Sequence, residues 1–312
     1  MKLTVVGAGN VGATVAECVA RMDIVQEIAL IDIRGDFAAG KALDLWESAP
    51  IHGFDTKLVG GDDYDLTAGS DVCVITAGLP RKPGMSRDDL LAKNAAIVKS
   101  VTEELVKRSP DTILIVVSNP LDAMAAVAFE TAGFPSNRVM GMARVLDTAR
   151  YRSFLALETG FSVRDIQAML LGGHGDTMVP LPRFTTAGGT PITKYVSEER
   201  LEEIVERTKK GGGELVGLMG TSAWYAPGAA AAEMVEAIVK DSGRVLPAAA
   251  RCEGQYGLND MFIGVPVKLG KNGVEEIIEL DLDYEEQKLM KASGDHVQAN
   301  LDALARIQKQ NA

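Results

Sequence analysis

His174 stands in the segment Gly172-Gly173-His174-Gly175-Asp176, directly behind an apolar run. An imidazole changes charge near neutral pH, and glycines on both sides leave room for a reacting group. Asp147 and Arg150 are three residues apart in a segment of helical periodicity, so both project from one face. The pair reads either as a surface ion pair or as a carboxylate that orients a histidine beside a guanidinium that grips a substrate carboxylate. A second cluster opens the chain. Gly7-Ala8-Gly9-Asn10-Val11-Gly12 fits GxGxxG, and Asp32 follows twenty residues after Gly12. Such glycines permit a tight turn, close approach of a pyrophosphate and close packing of helix on strand. The helix N-terminus behind them offers N–H groups and a positive dipole end to phosphates. Asp32 can accept both hydroxyls of an adenine ribose and would repel a 2′-phosphate, which favours NAD over NADP as cofactor. Arg34, two residues on, pulls weakly the other way.

These groups need elements to hold them. Residues 3–6 form a β-branched apolar run ahead of the glycines and read as a buried strand, followed by helical periodicity over 11–22. Further strands are expected at 28–33, ending in Asp32, at 71–76 and at 112–117, with helices over 37–45 and 88–108. Apolar strands that alternate with helices indicate a parallel sheet covered on both faces. The character changes near residue 143. A helix over 146–159 carries Asp147 and Arg150, and a strand over 166–171 runs into the His174 turn. Helices follow at 198–210 and 229–239. Strands at 244–252, 261–267 and 274–280, linked by Gly, Asn and Asp turns, should pair antiparallel, and a helix over 284–310 closes the chain. The expected fold is α/β: an N-terminal Rossmann, doubly wound parallel sheet over residues 1–142, then a mixed α+β catalytic domain over 143–312.

Composition narrows the function. The chain has 312 residues, 46% hydrophobic and 24% charged, which is ordinary globular usage. Its formal charge of −11 makes nucleic acid a poor partner, and an anionic substrate must be met by a local cluster of Arg or Lys. No apolar stretch approaches the ~18–20 residues of a membrane span, so no membrane partner is expected. Cys18, Cys73 and Cys252 form no CxxC pair, and His52, His174 and His296 form no HExxH. Neither a disulfide framework nor a metal site is expected, and a reducing cytoplasm suits this usage. Met1-Lys2 and the apolar run behind it resemble a short signal peptide, but Gly7, Gly9 and Gly12 interrupt that run, and the segment reads as mature structure. Tyr284-Glu285-Glu286-Gln287-Lys288 fits YxxxK yet lies in a charged helix, where it reads as a solvated face.

The glycine run, Asp32, Gly78-Leu79-Pro80-Arg81-Lys82-Pro83-Gly84-Met85-Ser86-Arg87, Ser118-Asn119-Pro120, Leu146-Asp147-Thr148-Ala149-Arg150 and the His174 segment together resemble the lactate/malate dehydrogenases, most of all their malate branch with lactate-dehydrogenase-like architecture. The resemblance covers essentially the whole chain, in order. Arg144 is a departure: it stands where the pattern has glycine before Val-Leu-Asp, next to the substrate pocket.

The resemblance implies a role for each matching residue. His174 would give and take the proton, and Asp147 would hold its imidazole. Arg150 would bind the substrate 1-carboxylate through a bidentate pair, and Arg87 would polarise the carbonyl. Asn119 would bond the reacting oxygen and touch the nicotinamide. Asn94 and the turn Val117, Ser118 and Asn119 would line the cofactor. Arg81 would meet a second carboxylate and so select oxaloacetate over pyruvate. The implied activity is reversible oxidation of (S)-malate, a small dicarboxylate, to oxaloacetate with NAD, in a homodimer or homotetramer of the cytoplasm and the tricarboxylic acid cycle. A lactate dehydrogenase and a non-catalytic NAD-sensing protein on the same scaffold are the alternatives. The intact set His174, Asp147, Arg150 and Arg87 argues against the sensor.

Overall fold

β1 (Lys2–Val6) is buried along nearly its whole length, as its unbroken apolar run requires, and it takes a central place in a parallel sheet. The computed structural model describes residues 1–80, 86–174 and 177–311. After β1 come α1 (Asn10–Met22), β2 (Glu27–Ile31), α2 (Gly35–Glu47), α3 (Ala49–His52), β3 (Lys57–Gly61) and β4 (Val72–Ile75). The chain continues through α4 (Arg87–Arg108), β5 (Ile113–Val116), α5 (Leu121–Ala132) and β6 (Val139–Gly141). These six strands lie in the order β3-β2-β1-β4-β5-β6, all parallel. The order reverses between β1 and β4. Ligands of doubly wound sheets bind at such a switch point, beyond the carboxyl ends of the strands.

Burial explains why the sheet is covered twice. Leu3 and Val5 of β1 pack into one apolar cluster with Val15 and Val19 of α1 and Ala38 of α2. Val6, on the opposite face, joins a second cluster with Val98 and Leu105 of α4 and Met124 of α5. The period-2 alternation of a strand thus feeds two cores.

The second half begins with α6 (Arg144–Thr159) and the short strands β7 (Ile166–Gln167), β8 (Leu170–Leu171), β9 (Val179–Pro180), β10 (Thr186–Ala187) and β11 (Thr190–Pro191). It continues with α7 (Glu198–Met219), α8 (Tyr225–Val239), β12 (Arg244–Glu253), β13 (Asn259–Gly270), β14 (Gly273–Ile277) and α9 (Tyr284–Asn311). β12, β13 and β14 pair antiparallel, and a single pairing of Ala249 with Gly141 joins them to β6, making one nine-stranded sheet. α8 covers the face that carries α1 and α2, while Leu304 of α9 joins the cluster under α4 and α5.

The expected architecture is present, with local differences. The strand expected at 28–33 ends at Ile31; Asp32 lies in the following loop and Ile33 is 96% exposed. The run expected at 166–171 splits into β7 and β8, which belong to different sheets. The helix expected to stop at Lys210 runs through Gly211-Gly212-Gly213 to Met219, because α7 packs against α6 and that tertiary contact outweighs the glycine penalty.

Candidate active site

The first part of the site is the loop between β1 and α1. Gly7 has φ +106°, open to glycine but strained for other residues, and a Cβ on Gly12 would collide with the carbonyl oxygen of Gly7. Only glycine lets α1 start so close to the end of β1. Gly9, at the N-cap, supplies no side-chain bond, and the first turn of α1, with Asn10, Val11 and Gly12, carries no acidic residue. Its free N–H groups fit a pyrophosphate. At α4, by contrast, Ser86 and Asp89 close a capping box over the helix start. Asp32 stands beside this loop. Its Oδ2 accepts the N–H of Ala8 at 2.8 Å and its Oδ1 the N–H of Arg34 at 3.0 Å. The carboxylate is therefore fixed where an adenine ribose would follow the pyrophosphate, and the residues present fit a dinucleotide.

Two turns beyond β4 and β5 form the adjoining wall. Ser118 Oγ donates to the carbonyl of Ala77 at 2.6 Å. Asn94, a buried residue of α4, accepts the N–H of Leu79 at 2.8 Å and donates to the carbonyl of Asn119 at 2.7 Å. Asn94 thus ties both turns together from behind. Val117 is buried and Asn119 exposed, and the Asn119–Pro120 peptide is cis. Arg87 is the first residue of α4 and is exposed. Among the described residues it makes no bond to His174, Asp147 or Arg150. Arg81 lies outside the described residues.

The third part is a buried charge cluster on the first turns of α6. Asp147 is not a surface residue: its side chain is 3% exposed. Its Oδ1 accepts from Arg150 Nη1 at 3.0 Å, and its Oδ2 accepts from Arg144 Nη1 at 2.7 Å. His174 Nδ1 lies 3.2 Å from the same Oδ2. Facing an ionised carboxylate, Nδ1 must carry the proton, which leaves Nε2 for a reactant. Burial alone would push the Asp147 carboxyl up, but the charges of His174, Arg144 and Arg150 override it and hold the group far below the usual carboxylate range. The alternative of a surface ion pair for Asp147 and Arg150 is excluded by this burial.

The turn that carries the imidazole is pinned from several sides. The N–H of His174 donates to Oδ2 of Asp122 on α5 at 2.8 Å, and that of Gly173 to Ser293 Oγ on α9 at 2.8 Å. Gly172 exchanges backbone bonds with Gly264 of β13 and also accepts from Arg144 Nε at 3.0 Å. A Cβ on Gly264 would collide with Cγ of Arg144, and one on Gly211 of α7 with Cδ of Arg150. Both glycines make room for the stems of these arginines.

Asp122, Gly211, Gly264 and Ser293 are site residues that sequence reasoning missed, and Arg144 was noted there only as a departure beside the pocket, without a role. Arg144 had a readable signal, since it stands three residues before Asp147 as Arg150 stands three after. Asp122 carried none, because the helix around it lacks a polar face. Among the described residues no group of His, Cys, Asp and Glu is placed to hold a metal, and no helix is long and apolar enough to cross a membrane.

A nucleotide loop at the switch point of a doubly wound sheet, beside a buried His–Asp pair and an arginine, defines a dehydrogenase-type α/β protein. Residues 1–141 match the model of the lactate/malate dehydrogenase NAD binding domain, and residues 145–307 that of the alpha/beta C-terminal domain. The chain belongs to the lactate/malate dehydrogenase family. It is 66% identical to the malate dehydrogenase of Salinibacter ruber over 307 residues, covering 98% of each chain. The solved structure of a malate dehydrogenase from that organism superposes with a TM-score of 0.97 at 63% identity, over 100% of both chains. A lactate dehydrogenase from Cryptosporidium parvum, solved with lactic acid and cofactor, gives 0.93 at 39% identity over 97% of this chain and 98% of that one.

Proposed function

We propose that this chain is an NAD-dependent malate dehydrogenase that interconverts (S)-malate and oxaloacetate. The observation that carries the reading is the Asp147 carboxylate, buried between His174 and Arg150, with the imidazole Nε2 left for a reactant. The higher identity to a malate dehydrogenase than to a lactate dehydrogenase favours the dicarboxylate.

When bound, the nicotinamide supplies or accepts the hydride. The chain does the rest. Gly7, Ala8, Gly9, Asn10, Val11 and Gly12 receive the pyrophosphate, and Asp32 the ribose hydroxyls. Asn94 holds the turn of Val117, Ser118 and Asn119 against the cofactor. Arg150 turns its free nitrogens to the substrate 1-carboxylate, a forked cation suited to a planar anion. Arg87 polarises the carbonyl, Asn119 bonds the reacting oxygen, and Arg81 meets the second carboxylate. His174 then gives its Nε2 proton to the oxygen in reduction and takes it back in oxidation, while Asp147 stabilises the imidazolium.

Residues 1–142 serve as the cofactor domain and 143–312 as the catalytic domain, with His174 anchored to the first through Asp122. α2 buries little beyond Ala38 and Ala42 and leaves Phe37, Leu43 and Trp46 exposed, which supports assembly of identical subunits into a dimer or tetramer. Free thiols at Cys18, Cys73 and Cys252 support a cytoplasmic location, and the malate–oxaloacetate reaction itself supports a place in the tricarboxylic acid cycle. The deciding experiment mixes protein and NADH with oxaloacetate or pyruvate and follows absorbance. Turnover of oxaloacetate alone is expected. Turnover of pyruvate alone would make the protein a lactate dehydrogenase, and silence with both a sensor.

A further inference from the structure

The side chain of Arg144 is entirely buried, an unusual position for a guanidinium. It follows Ala143, whose φ of +30° is strained for a residue with a Cβ, so the chain turns sharply where Arg144 enters the interior. Its Nη1 donates to Oδ2 of Asp147 at 2.7 Å and its Nε to the carbonyl of Gly172 at 3.0 Å. One guanidinium therefore spans the carboxylate that faces the imidazole and the turn that carries the imidazole. We propose that Arg144 is a positioning residue of the proton-transferring pair: it locks Asp147 against the His174 turn and shares with His174 the same carboxylate oxygen.

The sharing has an electrostatic consequence. Among the described residues the charged groups around the imidazole are Asp147, Arg144 and Arg150 from α6 and Asp122 from α5; α9 contributes the Ser293 hydroxyl and β13 only Gly264. Within this described set two cations balance two carboxylates. Burial pushes the Asp122 carboxyl up and the Arg144 guanidinium down, while the attraction between opposite charges works against both shifts. Removing Arg144 leaves a net negative surrounding that protonation of His174 would neutralise. Arg150 cannot take over, because its free nitrogens are the ones offered to substrate. Arg150 divides its guanidinium between Asp147 and the substrate carboxylate, whereas among the described residues the anion that Arg144 bonds is Asp147 alone.

The inference rests on the malate dehydrogenase reading, and its test separates the two. The pH dependence of kcat/KM for oxaloacetate reduction is measured on the wild-type protein and on Arg144→Met, Arg144→Gly and Arg144→Lys. Absence of wild-type turnover would remove the functional reading itself. With wild-type turnover present, the neutral variants are expected to move the alkaline limb to higher pH by about one unit, a tenfold change in the protonation ratio. Arg144→Lys, which keeps the charge, should leave the limb near its wild-type position while lowering kcat, since its single ammonium cannot reach both Asp147 and Gly172. An unmoved limb in a neutral variant that still binds NADH overturns the proposal. An equal shift in the lysine variant also overturns it, because packing rather than charge would then be responsible. If both neutral variants fail to fold while the lysine variant folds, the role is structural and the proposal falls as well.

Discussion

The backbone N–H of His174 donates to Oδ2 of Asp122 across 2.8 Å, tying the imidazole turn to the first turn of α5. α5 starts directly after Asn119-Pro120, so the histidine and the turn proposed to face the nicotinamide share one rigid support. The distance between the proton-carrying group and the cofactor wall is thereby fixed by the scaffold rather than by a mobile loop.

Replacing the imidazole leaves this tie intact, since it uses only main-chain atoms of residue 174. His174→Asn should therefore fold and bind NADH within a few-fold of wild type. Turnover should fall by at least ~10²–10⁴-fold, the usual contribution of general acid–base catalysis. Stopped-flow binding and steady-state assays check both halves. Near-normal turnover would make His174 a structural residue.

Asp147→Asn should cost stability as well as activity. It leaves Arg144 buried against an amide, and breaking a buried ion pair costs about 3–5 kcal/mol. The sign of the pH dependence follows from the carboxyl being held below its usual range. Its contribution is complete above the unfolded value of about 3.9 and is lost as pH falls from there toward the folded one. Below about pH 4 the wild type should thus lose more stability than the variant, with a difference in slope of up to ~1.4 kcal/mol per pH unit. Denaturant titrations across that range decide it, and parallel curves would contradict the burial of charge at Asp147.

The parts of the site differ in how legible they were. The nucleotide loop could be read because Gly7, Gly9 and Gly12 act through backbone geometry, which residue type alone dictates. α5 escaped because its sequence, LDAMAAVAFETA, is apolar on nearly every side and shows no helical stripe. β3 ends in two glycines and β6 has three residues, too short for a period-2 pattern. Missing α5 hid Asp122, and with it the anchor of His174. Arg144 was visible only as a departure from a pattern. Its burial depends on Gly264, more than a hundred residues away, and no local rule connects the two.

Asp32 offers a test of cofactor choice. Its carboxylate bonds the N–H groups of Ala8 and Arg34, and Arg34 Nε lies 3.6 Å from it. Asp32→Ser removes one like charge from the position of a 2′-phosphate, worth about 1–4 kcal/mol at contact distance, and frees Arg34 to meet that phosphate. The NADPH-to-NADH ratio of kcat/KM should rise roughly tenfold or more. NADH itself should bind less tightly, because the tie to the glycine loop is lost. An unchanged ratio would place ribose recognition elsewhere.

Gly211 tests whether the shape of α7 serves substrate binding. The three glycines at 211–213 lie inside a helix that continues to Met219, where each costs about 1 kcal/mol relative to alanine. Gly211 has a reason to be glycine: a Cβ there would collide with Cδ of Arg150, whose guanidinium is held at the other end by Asp147. Arg150 could then escape only by rotating away from Asp147 and from the substrate carboxylate. Gly212 has nothing within 4 Å of an added Cβ. Gly212→Ala should therefore stabilise the protein by up to ~1 kcal/mol and leave kinetics unchanged. Gly211→Ala should raise KM for oxaloacetate by roughly 10–100-fold, the value of a hydrogen bond to a charged group, with NADH affinity preserved. Measuring both variants side by side separates helix propensity from the placement of Arg150. Equal kinetics in the two would show that α7 does not constrain Arg150, and the glycine at 211 would then have no role in the site.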